Sequence, residues 1–173
     1  MLTIAARAVT NPGMPTRGTP ARTSCEPSPL SDAALDITWR TLQERRFVAL
    51  QGAYARLGGS APADEVCRLL RPHWSQPLSR VARWIAGREV VSITWRSQVW
   101  LPLFQFERPS LDVVPAVIEL VCALRPVYDE WELAEWFVRP HHLLSGQAPA
   151  LRLACDPCAV TEAARHDHFI NRW

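Results

Sequence analysis

Cys155-x-x-Cys158 has the spacing of one half of a tetrahedral zinc site, and His141, His142, His166 and His168 are available to complete four ligands. The other half is not a recognised pattern, because His166-x-His168 is tighter than the histidine spacing such sites use. Asp156-Pro157, between the cysteines, reads better as a helix start, with aspartate capping the first turn and proline in the first helical position. A thioredoxin-like redox pair needs a preceding strand in a βαβ setting, and none is predicted. His141-His142 could be a catalytic or metal pair, but adjacent side chains diverge and no Ser or Cys nucleophile motif accompanies them. A surface loop is the expectation there, and a solvated helix edge explains Glu130, Glu132 and Glu135. No nucleophile, base or metal set converges. The chain is therefore expected to be no enzyme, with no cofactor and no bound metal.

Contact with nucleic acid is a second chemistry to weigh. Residues 60–90 could form a divergent helix-turn-helix, with Arg80, Arg83 and Arg88 along the second helix and Ser79 near its start within reach of phosphate. Against it, the connection Pro72-His73-Trp74-Ser75-Gln76 is longer than the usual turn. The helix also lacks the Asn or Gln base readers of such motifs. A DNA-binding transcriptional regulator is thus the alternative reading, and arginines facing water the plainer one. All 19 basic residues are arginine. Arginine forks suit phosphate and carboxylate, yet the Ala- and Pro-rich composition points instead to a GC-rich genome. A net charge of +2 gives no general pull toward nucleic acid or membrane.

These residues need elements to position them. A length of 173 residues suits one domain plus a tail. Hydrophobic content of 48% with 21% charged residues is that of an ordinary globular chain. Eight tryptophans imply an indole-rich core or interface. The five cysteines are an odd number, and Cys67 and Cys122 sit in apolar helical patterns and are expected to be small buried hydrophobes. No secretory signal is evident, since the apolar start is short and broken by Arg7. No apolar run is long enough for a transmembrane helix. A cytoplasmic, reduced protein with no membrane attachment is expected.

Residues 1–34, rich in Pro, Thr, Ser and Gly, read as a disordered tail. A first helix from Ala33 or Trp39 to Leu57 would turn Leu35, Trp39, Leu42, Phe47, Leu50, Tyr54 and Leu57 inward, and Gly58-Gly59 would end it. A second helix from Pro62 to Arg71 would have Ser60 as its cap, with Val66, Leu69 and Leu70 inward. A third, from Pro77 to Gly87, would bury Leu78, Val81, Ala82 and Ile85. The period then changes. Val91, Ile93 and Trp95 alternate with polar residues, Arg96-Ser97-Gln98 turns the chain, and Val99 to Phe106 is a second apolar run, which predicts a β-hairpin. Pro102 lacks an amide proton, so its strand should be an edge or bulged. Val113 to Leu124 forms a fourth helix stopped before Pro126. The fold class is mainly α with minor β, a helical bundle with a single β-hairpin between the third and fourth helices. It divides into the tail, a helical region over 35–108 ending in the hairpin, and a helical domain over 109–173.

Asp129 with Glu132 makes a capping pair for the next helix, which Trp131, Leu133, Ala134, Trp136, Phe137 and Val138 leave apolar on most sides. Arg139-Pro140 ends it, a compact loop with Gly146 at positive φ follows, and Pro149 starts a short turn before the Asp156-capped last helix. This pattern resembles the toxin-binding domain of Xre/MbcA/ParS-type antitoxins. The matching residues are Ala134, Trp136, Phe137, Pro140, Leu144, Gly146, Pro149 and Leu153, with Val160 in the last helix. Arg139 and His141 replace the family's Thr and Asn around the proline, and two of its glycines are absent. The segment WRSQVWLPLFQFER resembles a region upstream of the same block in an uncharacterised bacterial group. The resemblance implies a protein-binding module of a toxin-antitoxin system. Such antitoxins usually add an N-terminal helix-turn-helix and block an NAD-consuming toxin with their C-terminal end. The corresponding residues here are Arg165, His168, Phe169, Arg172 and Trp173. A protein partner, a cognate toxin among the candidates, is expected, and a homo-oligomer is compatible with the sequence.

Overall fold

The computed structural model describes residues 29–172. In chain order the elements are α1 (Pro29–Ala55), β1 (Ser60–Pro62), α2 (Ala63–Leu70), α3 (Pro77–Ala86), β2 (Ile93–Trp95), β3 (Gln98–Pro102), α4 (Pro115–Leu124), α5 (Glu130–Val138), α6 (Pro149–Arg152) and α7 (Pro157–Ile170). Short 3-10 turns occupy Leu103–Gln105 and His142–Leu144. The fold is mainly α with a minor antiparallel sheet, and its hairpin lies between α3 and α4 as the period change predicts.

The expected tail reached residue 34, but α1 already begins at Pro29, a residue suited to a first helical position. The remainder of that expectation, residues 1–28, lies outside the described residues. Residues from Thr38 onward form one compact unit. The boundary expected at 108/109 is not seen, because Leu50 and Tyr54 of α1 and Val91 and Ile93 of the hairpin region share a single core with α4, α5 and α7. Within this unit, the last turns of α1 pack on that core. Leu50 and Tyr54 are buried, whereas Trp39 and Leu42 remain 62% and 55% exposed.

Gly58 and Gly59 both take positive φ, which lets the chain leave α1 and run directly into β1. Ser60 is therefore not a helix cap. It opens a strand that pairs antiparallel with β3, Ser60 opposite Pro102 and Pro62 opposite Trp100. Strand β2 pairs on the other side of β3 through a two-residue turn, Arg96-Ser97, with both residues at positive φ, the type I′ geometry that matches strand twist. The order β1-β3-β2 makes β3 the central strand, so Pro102 does not mark an edge. The proline is tolerated because it is the last residue of β3, and the amide of Leu103 resumes pairing with the Gly59 carbonyl at 2.9 Å.

Beyond β3 the apolar run turns instead of extending. Gln105 is fully buried there. Its Oε1 accepts from the Val91 amide at 2.8 Å, and its Nε2 donates to the carbonyls of Val91 and Pro102 at 3.0 and 2.9 Å. One side chain thus does the work of a missing strand pairing. A second core layer fills the space between the sheet and α2–α3, with Val66, Leu70, Val81, Trp84, Leu101 and Phe106 buried. Leu69 and Leu78, expected inward, are 46% and 71% exposed, and Cys122, also expected buried, is exposed on α4, while Cys67 faces in as expected and Trp84 joins it.

Candidate partner-binding face of the C-terminal block

The start of α5 is fixed by the expected capping box. Asp129 Oδ1 accepts from the Glu132 amide at 2.7 Å, and Glu132 Oε2 accepts from the Asp129 amide at 2.9 Å. Leu133, Ala134, Trp136 and Phe137 are buried along the helix. Tyr54 reaches across from α1 and donates its hydroxyl to the Ala134 carbonyl at 2.6 Å. Burial holds that phenol far above its ordinary pKa, so it stays a neutral donor. Glu135 is not a solvated edge residue, because it pairs with both Arg46 and Arg139.

The loop after α5 departs from expectation at His141. This histidine is buried, not a surface loop residue, and its ring stacks on His142 at 4.8 Å and 21°. Its Nδ1 accepts from the Leu143 amide at 3.2 Å, which leaves Nε2 to carry the proton toward Asp167 Oδ2 at 3.0 Å. Trp136 Nε1 donates to the same oxygen at 2.7 Å, and His166 Nδ1 lies 3.4 Å from Oδ1. Asp167 therefore ties α5, the loop and α7 together. Burial pushes its carboxyl pKa up, but the donors from Trp136, His141 and His166 outweigh that and hold it below the ordinary aspartate value. A folded pKa below the unfolded one adds stability that is present above the unfolded value and lost as pH falls through the folded one. The acid limb of unfolding below about pH 4 is expected to be shallower in Asp167→Asn than in the parent. Parallel limbs in urea unfolding across that range would remove Asp167 from the account.

Asp156 caps α7 as expected, accepting from the Ala159 amide at 3.0 Å. Its non-helical backbone, φ −149° and ψ 75°, puts Cys155 before the helix and Cys158 in its first turn. Both cysteines are exposed, and no group of three or more metal-binding side chains occurs among the described residues. The small residues Ala163 and Ala164, with Val160, are fully buried and let α7 lie close to its neighbours. Of the matching motif residues, Ala134, Trp136, Phe137, Leu144, Pro149, Leu153 and Val160 are buried. Pro140 and Gly146 lie exposed in the loop, where Ser145 and Gly146 both take positive φ.

The residues expected at the partner-binding end separate into two groups. His168 belongs to the architecture: it is half-buried, and its Nδ1 lies 2.7 Å from the Ala123 carbonyl at the end of α4. Arg165, Phe169 and Arg172 are exposed, with Arg165 paired to Glu162 on the same helix at 3.0 Å. Ile170, not singled out from the sequence, is also 56% exposed. Trp173 lies outside the described residues. Beside this end, Tyr128, Glu132, Trp136, Arg139, Pro140 and His141 line an open pocket of about 250 Å³.

The three arginines of the alternative reading do not form one free stripe. Arg80 is paired with Asp112 at 2.7 Å and lies over the Trp74 ring, while Arg88 falls beyond α3 at positive φ. No helix among the described residues is long and apolar enough to cross a membrane. No family model, curated protein or solved structure matches the chain.

Proposed function

We propose that this chain is a non-enzymatic protein-binding module, similar in its C-terminal block to the toxin-binding domain of Xre/MbcA/ParS-type antitoxins, whose partner docks on the end of α7. The observation that supports this reading most is the exposed tip of that helix. Phe169 and Ile170 stay 71% and 56% exposed, although the opposite face of α7 is buried through Val160, Ala163 and Ala164. Arg165 and Arg172 flank them, and aromatic residues beside arginine are favoured interface anchors. A cognate toxin acting in the cytoplasm is the partner that the resemblance favours.

Co-expression of the tagged chain with the product of the adjacent gene tests this, with partner recovery and cellular NAD as readouts. The intact chain is expected to recover the partner and preserve NAD. Phe169→Asp is expected to weaken recovery about tenfold or more, with folding unchanged because the ring is exposed. Equal recovery by both would sink the docking assignment. Deleting residues 165–173 is a poorer test, since it also removes the Asp167 and His168 contacts that hold α7 in place.

A further inference from the structure

A pocket of about 330 Å³ lies at the start of α3, lined by Trp74, Ser75, Gln76, Ser79, Arg80 and Arg83. Arg80 is fixed within this wall. Its guanidinium stacks on Trp74 with the carbon 3.4 Å from the ring centroid, and Nη2 donates to Asp112 Oδ1 at 2.7 Å. The Nε of Arg80 is enclosed and has no hydrogen-bond partner among the described residues. The side chains of Ser75, Gln76, Ser79 and Arg83 make no hydrogen bond or ion pair among the described residues. Gln76, Ser79 and Arg83 follow one another at helical spacing, so an amide, a hydroxyl and a guanidinium share one face. No acidic side chain lines the pocket among the described residues. Asp112 answers the charge of Arg80, which leaves Arg83 as the cation without a counter-charge.

The geometry points to this pocket as a site for a phosphate group. Arg83 and Ser79 supply the principal donors, Gln76 and Ser75 the secondary ones, and Arg80 a fixed cation in the wall. Donors arriving from several side chains suit the tetrahedral oxygens of phosphate better than the planar pair of a carboxylate, and arginine forks favour such acceptors. The phosphate belongs either to a free or small-molecule ester or to a nucleic-acid backbone. The site is independent of the partner-docking reading, since it uses α3 and not α7.

Titration of the isotopically labelled full chain with inorganic phosphate, at constant ionic strength and pH, tests the assignment by amide and indole chemical shifts. Saturable shifts confined to residues 74–83, including the Trp74 indole, are expected. Arg83→Gln is expected to weaken binding about tenfold through loss of a charge-assisted hydrogen bond, and Ser79→Ala by a smaller factor. Both residues are exposed, so neither variant should disturb folding. A short DNA duplex is the second arm. Saturation by the duplex alone, at the same residues and with the same Arg83 dependence, would assign the phosphate to a nucleic-acid backbone. Saturation by neither ligand, or shifts unaltered in Arg83→Gln, would overturn the site.

Discussion

Replacing Gln105 with leucine is expected to destabilise the fold by about 3 kcal/mol, read from the urea midpoint at unchanged slope. Leucine occupies similar space, so the change isolates three hydrogen bonds from packing. The Val91 amide loses its acceptor, and the carbonyls of Val91 and Pro102 lose their donor. All three bonds are buried, so water cannot replace them without opening the turn that follows β3. An unchanged midpoint would show that the turn rearranges to satisfy its own backbone.

Phe137→Ala is expected to cost about 4 kcal/mol, at the upper part of the range for large-to-small changes in a packed core. The ring is fully buried. It meets Phe104 at 5.2 Å and Trp136 at 5.0 Å in a near-perpendicular pair. Removing it opens a void next to the two large rings, and neighbours as rigid as these cannot close it. Phe137→Leu should lose much less, about 1 kcal/mol, because most of the volume stays. Equal losses for the two variants in chemical unfolding would mean that shape and not volume sets the cost.

The sequence carried those parts of the fold that local chemistry specifies. The Asp129–Glu132 box, the Asp156 cap, the glycine exit from α1 and the period change at the hairpin all depend on residues within a few positions of each other. Strand β1 was illegible because three residues show no period, and its partner β3 lies about forty positions away. The role of Gln105 was hidden for the same reason, since a glutamine in an apolar run looks like an outward strand position. At the candidate site, Phe169 and Arg165 were legible as an aromatic and a cation on a terminal helix. Asp167 was not, because its meaning depends on Trp136 and His141, which only the fold brings to it. On α2 and α3 the inward residues Val66, Cys67, Leu70 and Val81 were legible, whereas Leu69 and Leu78 are exposed and the inward Trp84 was missed.

The bond from Tyr54 to Ala134 spans 80 positions of sequence, and the Arg46–Glu135 pair spans 89. During synthesis, the last turns of α1 therefore leave the ribosome long before their covering helix exists. The Tyr54 hydroxyl must wait for its Ala134 acceptor until α5 is made, and the core around Leu50 and Tyr54 stays incomplete until then. Synthesis at roughly 5–20 residues per second makes that delay seconds long, ample time for a chaperone or a second nascent chain to meet the same apolar stripe. A premature stop before α5 would release a chain in which Leu50 and Tyr54 lack the part of their core that Ala134, Phe137 and α7 supply.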